Sequence, residues 1–151
     1  MSDAEFMAEA LIEAGKAALA GEVPIGAVAV KDGVIVARAR NQVEELHSVS
    51  AHAEFMLLHE LEKLYGDWRM SDFTFYITKE PCPMCAGMLI NSRVKRVVFG
   101  IGDPAGGGLG GAFDLNEIPG LLWHCEVTSG VLAEESLSLI QDFFRKRRAG
   151  K

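Results

Sequence analysis

The chain has 151 residues, 49% hydrophobic and 24% charged, an ordinary balance for a folded domain that excludes a disordered or fibrous chain. Its net charge of −6 sits in residues 1–66, which carry 5 Lys and Arg against 11 Asp and Glu, whereas residues 67–151 carry 10 of each sign. No basic-then-apolar leader opens it and no apolar run reaches membrane-spanning length, so one soluble, cytoplasmic domain over residues 1–151 is expected.

Ser2-Asp3-Ala4-Glu5 has capping-box spacing and predicts a helix to about Gly21, with Met7, Leu11, Ala14 and Ala18 on one face. Glu5, Glu9, Glu13 and Lys16 are expected on the opposite face. Residues 25–30 and 34–39 read as strands of a hairpin closed by Lys31-Asp32-Gly33. Asn41 to Val49 reads as a polar loop. A helix follows from near Ser50, with Leu57, Leu61 and Leu64 inward and Gly66 ending it. Residues 73–78 and 96–100 read as strands flanking a helix over 83–91, and residues 102–111 as a glycine-rich loop. A short strand over 123–127 and a helix over 132–148, with Leu132, Ile140, Phe143 and Phe144 apolar, complete the order. Helices alternating with strands predict a layered α/β domain around one mixed sheet.

Chemistry concentrates in His52-Ala53-Glu54 and Pro81-Cys82-Pro83-Met84-Cys85. If Pro83 is the first helical residue, Cys82 and Cys85 share one side of the opening turn. The positive end of that helix favours thiolates over thiols. His52 can add a neutral imidazole, giving Zn²⁺ three protein ligands and one open position, the pattern of a catalytic rather than a structural site. Glu54, two residues after His52, is placed to move protons rather than to bind metal. The alternative is a structural zinc completed by Cys125 or a distant histidine. Three cysteines, two of them at metal-ligand spacing, argue against a disulfide framework, and Cys125 reads as a small buried residue.

The remaining histidines read as bland: His47 in an exposed loop, His59 on a helix surface near Glu62, His124 buried in a strand. Residues 100–105 match G-x-G-x-x-A, but Pro104 and the glycines behind it will not open the helix a dinucleotide site needs. Arg145-Lys146-Arg147-Arg148 either complements the dipole of the last helix or contacts phosphates. Arg93, Lys95 and Arg96 leave the same two options.

The H-x-E…P-C-x-x-C arrangement is a known signature of the zinc deaminases. With it stand Glu22-Val23-Pro24-Ile25-Gly26-Ala27-Val28, Asn41, Ala86-Gly87-Met88, Ser92-Arg93, residues 96–100, Asp142-Phe143-Phe144-Arg145 and Arg147-Arg148. In these segments the chain resembles the cytidine-deaminase-like superfamily, and most closely the bacterial tRNA adenosine deaminases. The resemblance implies a three-layer fold, a five-stranded mixed sheet with helices on both faces, and a homodimer. It implies Zn²⁺ held by His52, Cys82 and Cys85, with Glu54 as the catalytic proton shuttle. Asn41, Ile25 and Ala53 would bind the base. The implied reaction is hydrolytic conversion of adenosine to inosine in RNA, at the wobble position of a tRNA anticodon loop. The chain departs from the family at Val49-Ser50, Gly102, Ala105 and Gly111, and carries an acidic pair, Glu44-Glu45, beside Asn41. These changes remove phosphate contacts or add repulsion. A deaminase of free purine or pyrimidine bases or nucleosides therefore stands as the alternative, and a non-catalytic zinc-stabilised binding module as a third class.

Overall fold

Three strands buried on both faces give the molecule two cores, one on each side of a single sheet. In the computed structural model, which describes residues 1–150, the elements are α1 (Asp3–Leu19), β1 (Gly26–Lys31), β2 (Val34–Arg40), α2 (Val43–Leu46) and α3 (Ala53–Tyr65). They continue with β3 (Thr74–Lys79), α4 (Pro83–Asn91), β4 (Arg96–Ile101), a 3₁₀ turn (Leu115–Glu117), β5 (Glu126–Thr128) and α5 (Ala133–Ala149). The sheet order is β2-β1-β3-β4-β5. β1 runs antiparallel to both β2 and β3, while β3, β4 and β5 run parallel. This is the expected five-stranded mixed sheet.

Successive strand residues point to opposite faces. Ala27, Ala29, Phe75, Ile77, Val97 and Phe99 pack against Leu57 and Leu61 of α3 and Leu89 of α4. The intervening Val28, Val30, Tyr76 and Val98 meet Phe6, Met7 and Ala10 of α1. α5 lies beside α1 and packs on β3 and β4. Helices on both faces bury the central strands twice, which is why they read as nearly continuous apolar runs.

The capping box forms as expected: Ser2 Oγ accepts the Glu5 N–H at 3.2 Å, and Glu5 Oε1 accepts the Ser2 N–H at 3.1 Å. Several local expectations are corrected. Glu13 is buried, not on an open polar face, because its stem lies against Gly26, where the missing side chain lets α1 approach β1. Leu64 is 57% exposed, since the final turn of α3 no longer faces the sheet. That helix starts at Ala53 rather than Ser50, and the loop before it contains the one-turn helix α2. β5 pairs only from Glu126, so His124 lies in irregular chain and is exposed. Its neighbour Cys125 is buried as expected.

Candidate active site

Two helix N-termini converge on the predicted ligands. His52 is the N-cap of α3 and Cys82 the N-cap of α4, with Pro83 the first helical residue as anticipated. The two cap side chains turn toward each other. His52 Nδ1 lies 3.7 Å from Cys82 Sγ and 3.4 Å from Cys85 Sγ. A tetrahedral zinc, with bonds of about 2.3 Å to sulfur and 2.0–2.1 Å to nitrogen, sets those atoms about 3.6 Å apart. The donor set thus fits the ion in type and in spacing. Among the described residues no further His, Cys, Asp or Glu joins the group. Cys125 is held elsewhere, exchanging backbone hydrogen bonds of 3.1 Å with the Asn116 amide. A fourth protein ligand is therefore not at hand, which disfavours the structural-zinc alternative.

The three donors share protons among themselves. The Cys85 thiol hydrogen-bonds Cys82 and, with His52, pulls the Cys82 thiol down to about 4 against the opposing effect of burial. Cys85 moves upward, first because it holds the proton it shares with Cys82 and second because it is buried. His52 is raised chiefly by its hydrogen bond to Cys82. Glu54, in the first turn of α3, is only 4% exposed, and burial pushes its carboxyl pKa up. A carboxyl group so displaced holds a proton more readily than an exposed one, which suits it to take and return one.

Beside His52 opens a cavity of about 260 Å³, lined also by Ile25, Asn41, Val43, Glu44 and Arg147. It lies near the small end of ligand cavities, which begin at about 300 Å³. The Asn41 backbone N–H donates to the Ile25 carbonyl at 3.0 Å, so β1 and the end of β2 bring these two residues together. The Asn41 amide donates to the Val23 carbonyl and accepts the Val43 N–H, both at 3.3 Å. Its long, weak bonds hold the group in place while leaving capacity for a ligand. Ala53, fully buried between His52 and Glu54, backs the site rather than lining the cavity.

Two carboxylates have a role that the sequence did not assign. Glu22, 1% exposed, lines the cavity and accepts the N–H groups of Glu44 and Glu45 at 3.0 and 2.8 Å, which builds α2. Glu80 similarly binds the glycine-rich loop. Neither belongs to a hydrophobic period; the only available signal was an acidic residue directly before Val-Pro or Pro-Cys in an otherwise buried stretch. Part of the excess of acid in the first 66 residues is paired with arginines. Asp3 pairs with Arg96 at 2.7 Å, Glu9 with Arg38 at 3.1 Å, and Glu45 with Arg40 at 2.9 Å. Among the other predicted groups, His47 and His59 are exposed, the latter 3.2 Å from Glu62. The basic C-terminal run divides: Arg147 faces the cavity, whereas Arg145 pairs with Asp142 at 2.8 Å. After Gly100 and Ile101 the chain turns without opening a helix, so no dinucleotide site forms there.

The family model of the MafB19-like deaminases matches residues 1–148. The chain belongs to this deaminase family. The tRNA-specific adenosine deaminase of Bacillus subtilis (strain 168) is 47% identical over 99% of this chain and 92% of its own length. A solved structure from a study of A-to-I editing by tRNA:A34 deaminases at the wobble position superposes with a TM-score of 0.87 at 37% identity. It covers 89% of this deaminase and 98% of that chain. The guanine deaminase of Bacillus subtilis gives 0.64 at 35% identity, over 68% of this chain and 66% of its own. The fold is thus the three-layer deaminase fold, and the deaminase is an enzyme.

Proposed function

We propose that residues 1–151 form a single zinc-dependent deaminase domain that hydrolyses adenosine to inosine in RNA, at the wobble position of tRNA. The observation that carries the reading is the buried Glu54 in the same helix turn as His52, which joins the Cys82–Cys85 pair and lines a cavity of about 260 Å³. The near full-length likeness to tRNA-specific adenosine deaminases supplies the substrate.

His52, Cys82 and Cys85 would hold Zn²⁺, which when bound supplies a Lewis acid that lowers the pKa of water. Asn41 and Ile25 orient the base, one by its amide and one against the ring face, and Ala53 keeps the back of the site dry. Glu54 takes a proton from the attacking water and delivers one to N1 of the ring as oxygen adds at C6. It then takes the remaining proton from the new C6 hydroxyl and passes it to the exocyclic amino group, which leaves as ammonia as the C6 carbonyl forms. Water and adenosine become inosine and ammonia, with no proton unaccounted for. An adenosine in RNA must leave its stack to reach so small a cavity. Arg147 at the rim is placed to meet the adjoining phosphate.

A homodimer is the proposed assembly. Met84, Phe113, Ile118 and Leu122 are 37%, 57%, 49% and 85% exposed, and Phe113 and Ile118 line an apolar hollow with Pro83 at the start of α4. A second copy would cover them, and light scattering in solution reads the mass directly. Among the described residues no helix is long and apolar enough to cross a membrane, and a cytoplasmic site of action is part of the proposal.

The deciding assay runs zinc-loaded protein on an anticodon stem-loop with adenosine at the wobble position, and in parallel on free bases and nucleosides. Inosine in the stem-loop, abolished by chelation and restored by zinc, is the expected result. Ammonia from guanine or another free base, with the stem-loop untouched, would instead support the kinship to guanine deaminase.

A further inference from the structure

The glycine-rich segment after β4 is wrapped around one buried side chain. Glu80 is 5% exposed, and its carboxylate accepts three backbone N–H groups: Asp103 at 2.9 Å, Leu109 at 3.0 Å and Gly111 at 2.9 Å. A side chain at Gly107 would strike this carboxylate, and one at Gly111 would strike both it and the Asp103 carbonyl. The glycines thus form a collar whose backbone must come close to the carboxylate, which also explains why Gly111 tolerates no larger residue here. The collar continues onto the next residue, because the Pro81 carbonyl accepts the Gly108 N–H at 2.8 Å. Gly108 in turn abuts Pro83 and Ala86 in the first turn of α4.

Residues 80 and 81, immediately before Cys82, are therefore tied to residues 103–111 by four hydrogen bonds. Cys82 itself is only half-buried. We infer that Glu80 is a positioning residue for the metal centre: by gathering the 103–111 loop around its carboxylate it sets the path of Pro81-Cys82 and keeps the two sulfurs at ligand spacing. The inference rests on the zinc reading above. Groups behind metal ligands commonly change metal affinity by about 10–100-fold when removed.

The test compares wild type, Glu80→Gln, Glu80→Ala, Gly107→Ala and the Glu80→Ala/Gly107→Ala double variant. Three quantities are read: bound zinc per chain, the rate of zinc release to a chromogenic chelator, and the visible spectrum of the Co²⁺-substituted protein. Thermal unfolding of the metal-free proteins reports folding separately. Zinc release should quicken on the order of tenfold in Glu80→Ala and less in Glu80→Gln, which keeps one acceptor oxygen. Gly107→Ala leaves Glu80 in place but displaces its carboxylate, so it should reproduce the Glu80→Ala release rate. The double variant should then be no worse than Glu80→Ala alone, since both changes remove the same contact. The Co²⁺ thiolate bands should shift in all four variants. Wild-type release rates and Co²⁺ spectra in Glu80→Ala and Gly107→Ala would overturn the inference, even if their metal-free forms were less stable. A wild-type protein that binds no zinc would overturn the zinc reading itself.

Discussion

Replacing Glu22 tests whether a buried carboxylate builds the substrate side of the cavity. Its two oxygens accept the N–H groups of Glu44 and Glu45 at 3.0 and 2.8 Å, and the residue is 1% exposed. Hydrogen bonds to a charged group contribute about 1.5–3 kcal/mol each, and these donors are only partly buried, so the lower figure applies. Glu22→Ala should therefore destabilise the fold by about 3 kcal/mol. In a chain of this length that lowers Tm by roughly 6–12 °C. Glu22→Gln, with one acceptor oxygen, should lose roughly half as much. Because Asn41 accepts the Val43 N–H at the start of α2, loosening α2 also loosens Asn41. KM for the stem-loop should rise on the order of tenfold while kcat changes little, the signature of lost uniform binding. Urea unfolding and steady-state kinetics on the same preparations supply both readings. A Glu22→Ala protein within about 0.5 kcal/mol of wild type, the range of ordinary surface changes, would refute the structural role. A fall in kcat at constant KM would refute the assignment to binding.

Glu54→Ala should retain zinc, measured by metal analysis, but lose roughly 10²–10⁴-fold in kcat, the usual contribution of a general acid–base group. The Asp3–Arg96–Tyr76 network should leave a mark at each end of the pH range. Burial and the Asp3 carboxylate raise the Tyr76 hydroxyl to about 12, so its contribution is complete below its unfolded pKa near 10 and is lost as pH rises towards 12. Tyr76→Phe should remove that alkaline loss in pH-dependent unfolding. The Arg96 hydrogen bonds hold Asp3 below 3.8, so its contribution is present above that value and disappears as pH falls through the lowered pKa; Asp3→Asn should flatten this acid limb. Finally, Leu57→Ala, at a fully buried site, should cost about 2–5 kcal/mol. Leu64→Ala, at a residue 57% exposed, should stay within about 0.5 kcal/mol by the same unfolding measurement.

Much of this enzyme was determined locally and could be read along the chain. The capping box at Ser2, the Asp32-Gly33 turn, Pro83 at the first position of α4 and the apolar runs of β1, β3 and β4 depend on neighbours a few residues away. The metal group was legible for the same reason. Cys82 and Cys85 share the opening turn of α4, so their spacing put both sulfurs on one side, and Glu54 follows His52 by two residues, too close to share its coordination. What only the tertiary structure decided involves partners distant in sequence. Nothing around Asn41 to Val49 announces a helix; α2 forms because Glu22, more than twenty residues earlier, caps it. The glycines of 102–111 gain their meaning from Glu80, which they surround. Leu64 fits the periodicity but lies beyond the reach of the sheet, and Glu13 breaks it because Gly26 lets two elements close together. A period records which face a residue shares, whereas burial of a charge is settled by whichever distant backbone supplies its hydrogen bonds.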